Sequence, residues 1–217
     1  MNKFFFASLL VASLTTVTAN AAMIDNFDQE SMTADISSST TATSASTSST
    51  TALSTFGGSR TINITKNGAL GANATVIAPP GIYAHSADAL TSATSIISWS
   101  SALGVDLIEG RSTTNFALDI LSIDQGNIDL ILSVTDLLSN TGSYTLSGAG
   151  VGVQFIALSL FSSNIDFLQI TDISLTIVGG TASDLTLNSI STVPTPSVLV
   201  LLAMGIVALG FNRRTSL

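Results

Sequence analysis

The chain of 217 residues has no cysteine, one histidine, one tryptophan and two tyrosines. Without cysteine there can be no disulfide, so an ordinary hydrophobic core must hold the fold, and a domain of this length can bury one. Any catalytic site that needs histidine would have to use His85. This residue follows the turn signal Pro79-Pro80-Gly81, and the nucleophile motif G-x-S-x-G does not occur in the chain. We therefore expect His85 in a surface loop.

Positive charge is also scarce. Six Lys and Arg stand against fourteen Asp and Glu, for a net charge of −8. Between residues 22 and 192 the only cations are Arg60, Lys66 and Arg111, whereas all fourteen carboxylates lie there. This balance argues against nucleic acid as a partner, because nucleic-acid binding needs a basic surface. It also argues against an acidic polysaccharide held by charge alone.

The N-terminus reads as a targeting segment. Lys3 precedes an apolar run over residues 4–12, and small residues ending in Ala19-Asn20-Ala21 follow. This is the pattern of a secretory signal peptide over residues 1–21, cleaved between Ala21 and Ala22. The alternative is an uncleaved anchor, although the apolar core is short for a membrane span. We expect the protein to be exported.

The last twenty-five residues, 193–217, form a second special segment. Pro194 and Pro196 keep its start extended, residues 198–211 carry no charge, and Arg213 and Arg214 follow. As a helix the uncharged run would span about 21 Å, against roughly 30 Å of hydrocarbon. Snorkelling of the arginine stems nearly closes this gap and holds that end on the cytoplasmic side. The alternative is a helix buried in the core.

The same order of residues resembles the PEP-CTERM sorting signal. The resemblance implies a partner, the exosortase, which is a membrane protease-transpeptidase that recognises the tail and removes it during export. It also implies transient anchoring in the inner membrane before delivery to the cell surface or extracellular matrix. Thr195 stands where the family has glutamate. The predicted signal residues are Val193, Pro194, Thr195, Pro196, Ser197, Arg213 and Arg214.

Residues 22–192 show the pattern of short strands. Apolar residues alternate with polar ones in several runs, separated by turn residues at intervals of roughly 8–12 residues. We predict an all-β fold, an antiparallel β-sandwich or barrel. Asn67-Gly68 predicts a hairpin that joins strand 60–66 to a return strand over 69–77. The predicted inward positions include Ile62, Ile64, Phe116, Leu118, Ile120, Ile128, Leu130, Leu132, Val134, Ile173, Leu175 and Ile177.

Residues 37–51 stand apart within this domain, because thirteen of the fifteen are Ser or Thr. Threonine favours strands, but the stretch has no large apolar residue to bury. It is expected to be an exposed edge strand or a loop. Its hydroxyls are either glycosylated or simply solvated.

The domain itself resembles the galactose-binding-like β-jelly-roll domains found in one group of PEP-CTERM proteins. The resemblance implies a fold and an extracellular setting, not an activity. It rests on the order of short motifs, namely residues 24–28, Gly57-Gly58-Ser59-Arg60, residues 104–107 ahead of 116–120, and Asp166-Phe167 ahead of 173–177.

The sequence suggests two kinds of ligand site, one for calcium and one for a sugar ring. Jelly rolls of the kind resembled often tie their first and last strands with a calcium ion, which prefers hard oxygen ligands. Asp25, Asp28 and Asp184 are the predicted ligands. Trp99 and Tyr83 are the predicted platforms for stacking on a sugar ring, and places in the core or at its rim are the alternative for both.

Three functions follow from these patterns. The main prediction is an exported, non-enzymatic structural protein of the bacterial surface or of an exopolysaccharide matrix. The alternative is a secreted carbohydrate-binding module. A secreted hydrolase is disfavoured, because Asp119, Asp124, Asp129 and Asp136 qualify as a carboxylate pair only by their abundance.

Overall fold

The structure is a computed structural model that describes residues 22–38, 43–49, 56, 58–108, 113–124 and 127–194. The predicted signal peptide and nearly all of the predicted sorting tail lie outside the described residues. Within these ranges no helix has the length and apolar character that a membrane crossing requires.

The described part of the chain is built of thirteen strands and one short 3-10 turn over Leu158–Leu160. The strands are β1 (Met23–Asp25), β2 (Met32–Ile36), β3 (Ser44–Ser48), β4 (Ser59–Asn67), β5 (Ala72–Ile77), β6 (Ile82–Ala87), β7 (Ser92–Val105), β8 (Thr113–Asp124), β9 (Ile128–Asp136), β10 (Thr141–Leu146), β11 (Gly152–Ala157), β12 (Ile170–Thr181) and β13 (Asp184–Pro194).

These strands form two antiparallel sheets. The seven-stranded sheet has the order β11-β8-β13-β6-β5-β2, with β1 also paired to β13. The six-stranded sheet has the order β10-β9-β12-β7-β4-β3. From β6 to β13 the chain alternates between the two sheets. In the seven-stranded sheet the neighbours are β6, β13, β8 and β11, and in the six-stranded sheet they are β7, β12, β9 and β10. This is the strand order of a jelly roll. The predicted all-β antiparallel sandwich is confirmed.

The core lies between the sheets and follows the period of two. Along β9, buried and half-buried residues alternate through its whole length. The predicted inward residues Leu118, Leu132 and Leu175 are fully buried, as are their neighbours in the same alternation. Each such side chain contributes about 1.5–3 kcal/mol relative to an exposed position. The inward prediction is therefore confirmed for β4, β8, β9 and β12.

The predicted hairpin at Asn67-Gly68 is wrong. β4 pairs with β3 and β7, whereas β5 pairs with β2 and β6 in the other sheet. The chain therefore passes from one sheet to the other between β4 and β5. The backbone N–H of Leu70 donates to Thr91 Oγ1 at 3.0 Å and that of Gly71 donates to Asp88 Oδ2 at 2.8 Å. These bonds hold the crossing segment on the β6–β7 connection rather than in a two-residue turn.

The turn between β9 and β10 does form a hairpin. Asp136 organises it: Oδ1 accepts hydrogen bonds from the backbone N–H groups of Leu138 and Asn140, and Oδ2 accepts from the Asn140 amide and the Asp166 N–H. These donors lower the pKa of Asp136, the Asn140 side chain most, and outweigh the opposing effect of burial.

Two local features differ from simple expectation. Ser44–Ser48 is the outermost strand of the six-stranded sheet, so part of the Ser/Thr-rich stretch lies at a sheet edge. β12 does not end at Gly179-Gly180 but runs on to Thr181. Gly179 serves close packing rather than a turn, because a Cβ there would clash with Ser183 Oγ and stand 2.7 Å from His85 Nε2.

Candidate functional site

The first predicted metal ligand, Asp25, already holds a cation. Its Oδ2 forms a buried ion pair with Arg60 Nη1 at 2.7 Å and accepts a hydrogen bond from Trp99 Nε1 at 2.7 Å. Its Oδ1 accepts the N–H of Phe27 at 2.8 Å. The guanidinium therefore occupies the position at which a metal ion was expected, and Asp25 has no free oxygen directed to solvent.

Arg60 is fully buried and fully partnered. Besides Asp25 it donates through Nη2 to the carbonyls of Gln29 at 2.6 Å and Glu30 at 2.8 Å, and its Nε approaches Met32 Sδ at 3.3 Å. The guanidinium also lies 5.9 Å from the centre of the Phe27 ring, within cation–π range. We call Asp25, Arg60, Trp99 and the Gln29 and Glu30 carbonyls the Arg60 cluster. It ties the segment after β1 to β4 and β7.

The three predicted calcium ligands are not brought together. Asp25 pairs with Ile190 in the β1–β13 ladder, so it lies about 20 Å along the strand from Asp184 at 3.3 Å per residue. The Asp28 carboxylate accepts from the side chain of Asn26 at 2.8 Å. Across the described ranges, no group of three or more His, Cys, Asp or Glu is placed to hold a metal ion. Asp25 and Asp184 are therefore too far apart along β13 to share one ion.

The predicted sugar platforms are core residues. Trp99 and Tyr83 are both 0 % exposed, so neither ring offers a face to a ligand. Trp99 packs 6.5 Å from Phe27 and Tyr83 packs 5.9 Å from it, measured between ring centres. The predicted stacking role is therefore wrong for both residues. Burying their large apolar rings in the core stabilises the fold more than exposing them would.

His85 is also inside rather than in a surface loop. It lies on β6 with its side chain in the core. Tyr83 donates its hydroxyl proton to Ser95 Oγ at 2.7 Å, and Ser95 Oγ lies 2.8 Å from His85 Nδ1. Ser95 Oγ accepts from Tyr83 and has both a proton and a second lone pair for Nδ1, so the tautomer of the ring sets the direction of this hydrogen bond. In the structure His85 Nε2 and the neighbouring Ser183 Oγ have no hydrogen-bond partner.

Burial controls the titration of this group of residues, which we call the His85 cluster: Tyr83, His85, Ser95 and Ser183. Desolvation lowers the pKa of His85 to about 4, and the negative charge of Asp184 opposes this only in part. Desolvation raises the pKa of Tyr83, and its bond to Ser95 opposes that shift. The imidazole is therefore neutral at physiological pH and shielded from substrates.

Few residues of the predicted targeting segments are described. Val193 and Pro194 end β13, opposite Asn115 and Thr113 of β8. Ala22, the predicted first residue after cleavage, accepts the N–H of Thr192 through its carbonyl at 2.8 Å. Thr195, Pro196, Ser197, Arg213 and Arg214, together with Ala19 and Ala21, lie outside the described residues.

The outward face of the six-stranded sheet is the most regular polar surface that the structure describes. One row crosses all six strands with a hydroxyl at every position, because the strand registers pair the members one after another. At about 4.8 Å per strand the row is about 24 Å long. We call this surface the hydroxyl face. The row consists of Ser143, Ser133, Ser174, Ser98, Thr61 and Ser48.

The neighbouring rows continue this chemistry. Hydroxyls of the adjacent row pair across strands at two places, Ser59 with Ser100 at 3.1 Å and Thr135 with Thr141 at 3.0 Å, and within the central row Ser48 pairs with Thr61 at 3.1 Å. The described face carries the carboxylates of Asp172 and Asp129 and no cation, since Lys66 and Arg60 both point inward from β4. The face is thus weakly charged and rich in hydroxyls, with the half-buried side chains of Ile131 and Ile96 beside the row.

The opposite outward face, on the seven-stranded sheet, is acidic instead. One of its rows runs through Asp35, Asn73, Ser86, Asp184 and Asp124, each paired with the next. Asp184 and Asp124 are direct cross-strand neighbours, an arrangement that repels like charges. The two faces of one sandwich therefore differ in charge although both alternate with the same core.

The sequence was also compared with known proteins. No protein-family model matches it, and no curated protein does.

Several solved structures are similar to it. A family 11 carbohydrate-binding module from Clostridium thermocellum, in complex with a β-1,3-1,4-mixed-linked tetrasaccharide, is 11% identical over 82% of this chain and 98% of that chain, with a TM-score of 0.41. An exo-β-agarase is 12% identical over 81% of this chain, which spans 25% of that enzyme, with a TM-score of 0.47. A module specific for non-crystalline cellulose has a TM-score of 0.27 at 14% identity, over 60% of this chain and 76% of that chain. At this level of similarity no ligand or activity carries over to this chain.

Proposed function

We propose that this chain is an exported protein of the bacterial surface or extracellular matrix that attaches to neutral polysaccharide through the hydroxyl face. The observation that carries the proposal is the row of six hydroxyls in register across the six-stranded sheet. Each hydroxyl is both a donor and an acceptor, as sugar hydroxyls are.

The regular spacing favours a polymer as the ligand. A single hydroxyl-to-hydroxyl contact gains little, because water competes for the same groups. A repeating ligand can make such contacts along the whole row, and once one unit is bound the next binds intramolecularly. A row of about 24 Å would extend along several sugar units of a polysaccharide chain.

Charge favours a neutral polymer over an acidic one. The cations that the structure describes, Arg60 and Lys66, are both buried, and Asp172 and Asp129 lie on the hydroxyl face itself. A uronic-acid polymer would meet repulsion from these carboxylates and from the net charge of −8.

The test is retention on polysaccharide. The full chain, extracted in a nonionic detergent, is run by affinity electrophoresis through gels containing agarose, mixed-linked β-glucan or alginate. We expect retardation in at least one neutral gel and none in alginate. Ser98→Glu, in the centre of the row, should weaken retardation about tenfold, which corresponds to about 1.4 kcal/mol.

Thr186→Glu is the matched control, because Thr186 is half-buried on a central strand of the other sheet. It should leave retardation unchanged. Free mobility of the unmodified chain in both neutral gels, or equal losses from the two substitutions, would refute the proposal.

Export and sorting form the second part of the proposal. They rest on the signal-peptide pattern of residues 1–21 and on the resemblance of residues 193–217 to the PEP-CTERM signal. An exosortase is the expected partner and the inner membrane the transient anchor. Peptide mapping of protein recovered outside cells that carry an exosortase should find nothing beyond about Pro196. Recovery of peptides from 211–217 in that material would contradict the sorting step.

We infer that the binding is not followed by catalysis. The support is that the lone histidine is buried, so no histidine-based site is open to a polymer. Hydrolysis of any polymer in the panel, lost on an Asp→Asn substitution, would overturn this inference.

A further inference from the structure

The two sides of the sandwich, where the sheets end, differ in charge. β10 and β11 are the outermost strands on one side, and five residues join them. From residue 137 to residue 165, a stretch that includes both strands, the sequence has no charged residue. We call this side of the sandwich the uncharged side. The chain has fourteen carboxylates, and none of them lies in this stretch. Another acidic protein can therefore approach this stretch with less repulsion than elsewhere.

Exposed apolar side chains also gather there. Nearly half of the large hydrophobic residues exposed in the described ranges belong to this stretch, and Phe155 is 63 % exposed and Val151 is 62 % exposed. Scattered exposed hydrophobics need no explanation, but Val153 and Phe155 lie on one face of the same edge strand. The members are Leu137, Leu138, Val151, Val153, Phe155 and Leu160.

β11 itself is an open edge. It pairs with β8 in regular register, without a bulge, and has no second partner strand in the part of the chain that the structure describes. The start of β11 is not covered on its face either, since a Cβ on Gly152 would meet no atom within 4 Å. Natural edge strands are usually protected by charge, proline or a bulge, and Gly152–Ala157 has none of these.

We propose that β11 pairs antiparallel with β11 of a second copy of this chain. The charge distribution selects a second copy as the partner, because two copies with a net charge of −8 repel each other wherever their carboxylates face. At the uncharged side the carboxylate next to β11 is Asp119, the cross-strand neighbour of Val153, so this repulsion is small there. A two-fold axis makes the contact self-complementary, so a single surface suffices.

The pleat restricts the register of this pairing. Facing residues in a ladder lie on the same face of the sheet, and Val153 and Phe155 both point outward. In the two registers that pair the most residues of β11, Phe155 faces either Phe155 or Val153 of the second copy. Either pairing covers an exposed aromatic ring with apolar surface and adds one backbone ladder to the seven-stranded sheet.

The association state of the full chain in nonionic detergent tests the proposal. Light scattering with size-exclusion chromatography should give twice the protein mass of one chain. Val153→Lys places a lysine of each copy against an apolar residue of the other and should give a monomer. Ile77→Lys is the matched control, because Ile77 is similarly exposed and lies on a strand of the same sheet; this variant should stay dimeric.

Cysteine cross-linking locates the contact, since the chain has no cysteine of its own. Under mild oxidation either Phe155→Cys alone or Phe155→Cys with Val153→Cys should form a disulfide between chains, depending on the register, and Ile77→Cys should not. A monomeric unmodified chain, a dimer that survives Val153→Lys, or no cross-link from either variant overturns the proposal. So does a dimer that is lost when the chain is ended after Pro194, because residues 195–217 would then make the contact.

Discussion

The Arg60 cluster and the His85 cluster share one core, since Phe27 contacts the Arg60 guanidinium and the Tyr83 ring, yet only the first holds a charge. Every nitrogen of the Arg60 guanidinium has a hydrogen-bond partner, and Asp25 accepts three hydrogen bonds. In the His85 cluster Nε2 and Ser183 Oγ have no partner. A buried group can remain ionised when hydrogen bonds and a counter-ion replace its contacts with water. A buried titratable group that lacks such partners is more stable in its neutral form.

Breaking the first cluster should have the largest effect. Asp25→Ala leaves the Arg60 guanidinium buried without its counter-ion, which should lower the free energy of unfolding by about 3–5 kcal/mol. Urea denaturation followed by the fluorescence of Trp99, the single tryptophan, measures this. Asp28→Ala, with its side chain at the surface, is the control and should change stability by about 0.5 kcal/mol or less.

The double variant Asp25→Ala with Arg60→Met sharpens this result. It removes both charges, so it should be less destabilised than Asp25→Ala alone, because no unpaired ion remains. Equal stability of the single and double variants would mean that the ion pair is not the source of the loss.

Acid should expose the second cluster. The pKa of His85 is about 4 in the folded chain and about 6.5 in the unfolded chain. The unfolded state therefore binds more protons between these values, so stability is complete above pH 6.5 and falls as the pH drops to 4. The loss should be about 3 kcal/mol. His85→Gln removes this titration, so the unmodified chain should lose more stability than the variant over the same interval. Parallel pH profiles would contradict a buried neutral imidazole.

A smaller effect is expected within the same cluster at Tyr83. Tyr83→Phe keeps the ring packing on Phe27 and removes the donor to Ser95, which should lower the free energy of unfolding by about 1 kcal/mol. A loss as large as that of Asp25→Ala would show that the two clusters are not distinguished by charge.

Ser183→Ala should have the smallest effect. Its hydroxyl is buried without a partner, so its removal should be neutral or should stabilise the fold by about 1 kcal/mol. The matched change Ser95→Ala removes the acceptor of Tyr83 and should be destabilising. If Ser183→Ala is the more harmful of the two, the difference drawn between the clusters fails.

Alternation within single strands was the part of the fold that the sequence could predict. Leu118, Leu132 and Leu175 lie inward as their patterns require, because a period of two is a local property. Partner choice is not local. Asn67-Gly68 has the strongest hairpin signal in the chain, yet bonds to Thr91 and Asp88 direct the next strand into the other sheet.

Arg60 and Lys66 show how pattern and residue type can conflict. Both share their parity with Ile62 and Ile64, which places them inward, whereas their charge suggested the outward side. The pattern prevailed because carbonyls meet each charge: Lys66 Nζ donates to the carbonyls of Ser37 at 3.2 Å and Leu70 at 3.0 Å. In the sequence, only the position of Arg60 in the alternation of β4 indicated that it would be buried with the other residues of the Arg60 cluster.

The candidate surface could be predicted only strand by strand. Alternation shows that Ser98 and Ser174 point outward, but their position opposite each other depends on the register between strands distant in sequence. The burial of Trp99 likewise depends on Asp25, which lies 74 residues away. Contacts of this kind have no trace in a single sequence.

The pairing of β1 with β13 also decides how the domain resists a pull on its two ends. Ala22 and Thr192 are hydrogen-bonded, and the strands run antiparallel, so tension applied at residues 22 and 194 opens the ladder like a zip, one rung at a time. Unzipping reaches Asp25 after only a few residues. There the load passes to the ion pair with Arg60 and so to the interior of the other sheet. The short strand β1 is thus held by the Asp25–Arg60 ion pair at its inner end.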